Sequence, residues 1–367
     1  MTHHSSLTGP AIRIATVYRN TPFEEFSPSD MSLLRWLKIS EALARSGYEV
    51  DMMAEAASGL NSISPNLRYR GLQGVDWSRY HVVKTLFHQG YETLRNAGGA
   101  DHPFIISKLG SVVGHEDQTE GVHFFNQERI DLFETQKEIN RRSRYITILT
   151  KPSLDLWRKE HGRSANMLMV PTGVDREVPP PGANPYGMRG DKIAVYIGNL
   201  YEGFQREINL LWQERLNTLG RLLKPKGIRL FFVGPGAIDR LDCDAVTSVG
   251  PIDGRRIWDF QYFADVGLVL GQGNVQHNES SKIYYYLRTG LPVVSESSVP
   301  NNHIIEEAAL GFVASYGDDQ TMAEMIEAAA YKRWDRASAV DYILKNHTWD
   351  NRAQIYDRVI KAELSRD

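Results

Sequence analysis

The sequence predicts an α/β protein built from two Rossmann-like, doubly wound domains facing a central cleft. Three observations carry that prediction. Short apolar runs of strand length alternate with longer amphipathic runs along the chain, the pattern of parallel strands crossed by helices. The alternation breaks at 178–185, where four prolines fall in eight residues and resist both helix and strand. At 367 residues the chain is also long for one core, so the break reads as a linker between two units. The predicted parts are a first domain over 1–177, a linker over 178–190, a second domain over 191–347, and a C-terminal helix over 348–367.

Residues 12–17 form an apolar strand, and Ser29 and Asp30 cap a helix that carries Leu33, Leu34, Leu37 and Leu43 and stops at Gly47. A strand at 48–53 completes a unit long enough for a parallel pair. The sequence is less regular up to about residue 78. Strands at 81–87 and 104–109 flank a helix at 88–96; beyond the polar loop at 114–121 come a charged helix at 128–142, a strand at 145–149, a helix opened by Pro152, and a short strand at 167–170. After the linker the pattern restarts with strands at 193–197, 228–233, 245–249 and 266–270 and helices at 206–223 and 255–264. A helix at 301–309, a short strand at 312–314 and a helical tail from 318 complete the chain.

Composition narrows the function classes. The net charge is −3, with no long block of one sign, which argues against nucleic acid as a partner. The single cysteine, Cys243, leaves no intramolecular disulfide and fits a reducing compartment. No run approaches the ~20 apolar residues of a spanning helix, and 1–10 has no signal-peptide core. The expectation is a cytoplasmic protein, at most peripheral to the inner face of the membrane. No Gly-x-Gly-x-x-Gly follows the first strand, which argues against a dinucleotide-linked dehydrogenase.

The stretch from Asn278 to Ser295 concentrates the chemistry. Ser280 and Ser281 precede a short helix with Ile283, Tyr286 and Leu287 on one face, Gly290 closes it in a left-handed turn, and 291–294 is a buried strand. The start of such a helix offers free N–H groups and the positive dipole end to a phosphate, and Lys282 adds a full charge in the first turn. Tyr285 shares the face of Lys282 and is placed to meet a sugar or base. The same residues also fit a capped structural helix with a solvated lysine.

Six motifs in register resemble the GT-B glycosyltransferases of the family-four type: Arg13-Ile14-Ala15, Val170-Pro171-Thr172-Gly173-Val174-Asp175, Tyr196-Ile197-Gly198-Asn199, Phe232-Val233-Gly234-Pro235-Gly236, Thr289-Gly290-Leu291-Pro292-Val293-Val294 and Thr348-Trp349-Asp350. The resemblance covers the whole chain. It implies a nucleotide-sugar donor, UDP- or GDP-linked, held mainly by the second domain, a glycan, lipid-linked or small-molecule acceptor met by the first, no cofactor and no required metal. Three departures stand out. His277 and Tyr285 occupy the places of the family's glutamate pair, Asn199 and Glu202 stand near its diphosphate-gripping arginine and lysine, and 21–29 lacks its glycine pair. The Ser-Ser-Lys helix start is similar instead to the xanthan glucuronosyltransferase, in which the lysine at the place of Lys282 holds the diphosphate.

Glycosyl transfer builds negative charge on the departing diphosphate, which fixed cations and N–H dipoles must meet when no metal does. Lys282 with the amides of Ser280 and Ser281 is the expected grip, with Gly198 and Asn199 approaching from across the cleft. Gly234 borders the base or is a plain turn, and Glu279 meets a sugar hydroxyl or is an exposed carboxylate. An inverting course needs a base, for which His115, Glu116 and Asp117 are the candidates; His88 is weaker, and Lys108 is placed to steer an anion. A retaining course needs none. Two alternatives stay open: a nucleotide-sugar epimerase of the same fold, and a nucleotide-sugar-binding subunit without catalysis. The resemblance also implies that the helix over 348–367 returns to pack on the first domain, so the tail is expected to be core, and deleting 348–367 to loosen closure while each domain stays folded, with any membrane contact made by the first domain.

Overall fold

The computed structural model describes residues 11–19, 31–54, 61–114, 126–162, 166–187, 190–200, 206–272 and 277–366. In the first half, strands β1 (Arg13–Val17), β2 (Glu49–Ala54), β3 (Asn61–Ser64), β4 (Leu67–Gly71), β5 (Val82–Leu86), β6 (Ile105–Lys108), β7 (Tyr145–Ile148) and β8 (Met167–Met169) form one sheet. Their order is β3-β4-β2-β1-β5-β6-β7-β8, and every pair is parallel except β3 with β4. Helices α1 (Met31–Arg45), α2 (Phe87–Asn96), α3 (Asn126–Arg142) and α4 (Lys151–His161) connect the strands. All of β5 is buried, as befits a central parallel strand covered on both faces.

The hairpin of β3 and β4 lies where the sequence reads as irregular. Its alternation is masked by charge: Leu67 and Tyr69 enter the core, while Arg68 and Arg70 turn to the buried Asp51 of β2 at 2.7 and 3.3 Å. A charged pair beside a core-facing pair looks like loop until the carboxylate that partners it is known.

The second sheet is entirely parallel. Strands β9 (Lys192–Ile197), β10 (Ile228–Val233), β11 (Val246–Gly250), β12 (Val266–Val269), β13 (Val293–Glu296) and β14 (Gly311–Ala314) lie in the order β11-β10-β9-β12-β13-β14. The second half also holds α5 (Arg206–Leu223), α6 (Ile257–Tyr262), α7 (Ser281–Arg288), α8 (His303–Glu307), α9 (Asp319–Tyr331) and α10 (Arg336–Asn346). The last helix, α11 (Trp349–Leu364), opens with a reciprocal cap between Thr348 and Asn351. It packs on α1, and Trp349, Ala353, Tyr356 and Ile360 join Leu33, Trp36 and Leu43 in one buried cluster. Its removal would take four buried side chains out of the first core. No helix among the described residues is long and apolar enough to cross a membrane.

The C-terminal ends of the two sheets face each other. Ser111 lies beyond the end of β6, Thr150 beyond β7 and Thr172 beyond β8; all three meet the segment 277–279 that lies beyond the end of β12. Asn278 Nδ2 donates to Ser111 Oγ at 3.0 Å, and the hydroxyls of Thr150 and Ser153 both donate to the His277 carbonyl, Ser153 at 2.8 Å. Ligands of doubly wound sheets bind at such strand ends.

Candidate functional site

Helix α7 starts at this junction. Ser280 is its N-cap with extended backbone (φ −94°, ψ 116°), but its hydroxyl makes no capping bond. The expected serine cap is therefore corrected: Ser280 is fixed through its backbone, its N–H donating to Asn301 Oδ1 at 2.8 Å and its carbonyl accepting from Asn301 Nδ2 at 3.0 Å. With no side chain folded over the first turn, the amides of half-buried Ser281 and Lys282 keep their anion-binding character.

Lys282 has no carboxylate partner among the described residues. Its ammonium lies 5.1 Å from the centre of the Tyr196 ring, and desolvation lowers its pKa to about 8 while part of its surface stays accessible. Gly198, in the turn after β9, makes room for it: a β-carbon there would stand 2.7 Å from Lys282 Cε. Asn199 is half-buried in the same turn. Gly234 has φ +148°, and its missing side chain admits the Gly198 carbonyl, which would lie 1.8 Å from a β-carbon. Gly234 thus shapes the turn beneath the lysine by close backbone packing.

Glu279 is neither an exposed carboxylate nor free for a sugar hydroxyl. It is 9% exposed; Oε1 accepts from Thr172 N–H at 2.6 Å and from the Thr172 hydroxyl, and Oε2 accepts from Tyr284 at 2.8 Å. It joins the segment before α7 to the strand-end loop after β8. Tyr285 rests against Trp258 of α6, ring centres 5.9 Å apart, and its buried hydroxyl has no hydrogen-bond partner among the described residues. Burial, with Asp175 adding to it, raises the Tyr285 pKa, so the phenol stays protonated as a donor. Trp258 was not singled out in the sequence; an aromatic on a short helix carries no signal of its own.

The base candidates His115, Glu116 and Asp117 lie outside the described residues. His88 lies within them, one residue past Phe87, whose φ of +58° is unusual for a bulky side chain and turns the chain sharply from β5 into α2. Burial lowers the His88 pKa, against the pull of Glu92, so it is neutral at pH 7 and able to accept a proton. Lys108 does not open onto the cleft: it is 7% exposed and donates to the Val170 carbonyl at 3.2 Å. Lys84, Arg35 and Arg352, none of them singled out in the sequence, act on it electrostatically. Among the described residues no three His, Cys, Asp or Glu side chains gather as metal ligands.

No family model matches the sequence, and no curated protein matches it either. Solved structures do match. Sucrose-phosphate synthase from Thermosynechococcus elongatus is similar at a TM-score of 0.71 over 97% of this chain and 100% of that one, with 13% identity. HepE of Anabaena, solved in complex with UDP and glucose, gives 0.68 over 96% and 100% at 11% identity. WaaG, a glycosyltransferase involved in lipopolysaccharide biosynthesis, gives 0.59 over 94% and 95% at 14% identity. At these identities the likeness establishes the fold, which is the GT-B arrangement of two Rossmann-like domains.

Proposed function

We propose that the protein is a metal-independent glycosyltransferase that moves a sugar, a hexose by preference, from a UDP- or GDP-linked donor to a glycan, lipid-linked or small-molecule acceptor. The observation that carries this reading is Lys282: a desolvated ammonium with no carboxylate partner among the described residues, at a helix start whose amides carry no side-chain cap, beside a glycine turn at the strand ends. Such a group is unsatisfied until an anion arrives. A donor diphosphate set there would be met by Lys282 and the first-turn amides as its charge grows, which lowers the barrier to departure. Tyr285 and Trp258 would flank the remainder of the donor. His88 is the described candidate for accepting the acceptor proton in an inverting course, with His115, Glu116 and Asp117 as its rivals; a retaining course would leave that proton to the diphosphate. The first domain would receive the acceptor, including one carried on a lipid at the inner face of the membrane.

The test is a panel of UDP- and GDP-sugars scored by thermal shift, followed by release of free nucleoside diphosphate in chelator. A ligand that binds only the folded state raises its stability, by about 2.7 kcal/mol at a hundred times its Kd. Binding with turnover in chelator is expected. Binding without turnover under any acceptor would mark a nucleotide-sugar-binding subunit instead, and no shift with any member would remove the donor reading.

A further inference from the structure

A small cavity lies between α11 and the ends of the first sheet's strands. Its polar lining comes from Arg35, Lys108, Trp349 and Arg352, set among apolar walls that include Leu86 and Tyr356. It offers room for a single water-sized guest, about 10 Å³.

Two N–H groups on residues lining this space have no acceptor among the described residues. Arg35 Nε and Trp349 Nε1 are both buried without a hydrogen-bond partner, and Trp349 is 5% exposed. Lys108 uses one N–H on the Val170 carbonyl and has others to give. Arg352 contributes charge rather than donors: its nitrogens are engaged by the Thr172 carbonyl (3.1 and 2.9 Å), the Asn346 carbonyl (3.1 Å) and His347 Nδ1 (2.7 Å). Burial first, then the charges of Arg35, Lys84 and Arg352, lower the Lys108 pKa against the pull of Glu279, and burial lowers that of Lys84 to about 7, so the lasting charges here are the guanidiniums of Arg35 and Arg352, two cations against one carboxylate. That carboxylate already accepts from Thr172 and Tyr284. A water in the cavity would answer the orphan N–H groups but leave the charge uncompensated. Phosphate or sulfate, with four oxygens, exceeds a one-sphere space. Both requirements, negative charge and single-atom size, are met by a halide.

We propose that this cavity binds one chloride ion, held by Arg35 Nε, Trp349 Nε1 and Lys108 Nζ and balanced by the charge of Arg352. The ion would fasten α11 to α1 and to the end of β6, and the inference stands apart from the donor reading because no nucleotide enters it. The test compares thermal unfolding in sodium chloride, sodium bromide and sodium gluconate at equal ionic strength, together with anomalous diffraction from bromide-soaked crystals. Expected are a saturable rise in Tm with chloride and bromide above the gluconate curve, and one bromide peak inside the cavity. Trp349→Phe keeps a ring and removes one donor, and should raise the half-saturating chloride concentration roughly tenfold. Should that variant not fold, Arg35→Met reads the same shift. Superimposable chloride and gluconate curves, a water without anomalous signal in the cavity, or an unchanged chloride midpoint in the variant would each overturn the proposal. A bromide peak with no chloride-specific shift in solution would mark binding at crystal concentration only, and also counts against it.

Discussion

Lys282 and Lys84 both lack a carboxylate partner among the described residues, and they sit in opposite surroundings. Lys282 stands at a helix start beside a glycine turn with part of its surface accessible; Lys84 lies in the middle of β5, 2% exposed, with its ammonium 5.1 Å from the centre of the Tyr356 ring. Burial lowers both, to about 8 and about 7. The accessible one can be satisfied by a ligand from outside. The sealed one can only lose its proton or weaken the fold. An unpaired buried cation is thus a functional sign only where an anion can reach it.

The largest expected effect lies between the two lysines, at the carboxylate that joins their regions. Glu279→Ala would leave the Thr172 N–H and hydroxyl and the Tyr284 hydroxyl without their acceptor, at a cost of about 3 kcal/mol in denaturant unfolding. A loss below about 1 kcal/mol would mean the junction contributes little. Next comes Lys282→Ala, expected to weaken nucleoside diphosphate binding by about 2 kcal/mol, roughly thirtyfold in Kd by calorimetry. The wild-type affinity should fall as pH rises above about 8, where Lys282 in the free protein loses the proton that a diphosphate would need. Unchanged affinity in the variant would put the donor elsewhere.

Lys84→Met should act in the other direction. A lysine whose folded pKa lies below its unfolded value, about 10.4, binds fewer protons when folded, so wild-type stability rises with pH from about 7 toward that value. Replacing it by an apolar side chain of similar length should raise stability at pH 7 by about 1–2 kcal/mol, a gain that shrinks toward pH 10. Destabilisation at both pH values would show that Lys84 has a partner in solution. The smallest effect is Thr348→Ala, which removes the cap of α11 and should cost about 1 kcal/mol while leaving diphosphate affinity unaltered.

The alternation of apolar and amphipathic runs made the parallel sheets legible, because period and length survive in a single sequence. The β3–β4 hairpin did not, since Arg68 and Arg70 become strand residues only in the presence of Asp51. Lys282 was legible from its place behind two small residues and before an apolar face. The engagement of Glu279 was not, because Thr172 is 107 residues away. Arg35, Lys84, Lys108 and Arg352 come from α1, β5, β6 and α11, and no local pattern announces charges that gather from so many segments. His115, Glu116 and Asp117 stand as candidates by position in the sequence alone.

The placement of α11 also sets an order of events during synthesis. Trp349, Tyr356 and Ile360 complete the core around Leu33, Trp36 and Leu43, yet they follow every strand of the second sheet in the chain. Domains generally fold as units while the ribosome is still adding residues. Here the first sheet must wait with an unfinished apolar face until about the 360th residue has emerged, a contact of high sequence separation that slows folding. A chain interrupted after the second sheet would carry that face uncovered, a target for chaperones and proteases, so partial products would be cleared instead of persisting as half-folded chains.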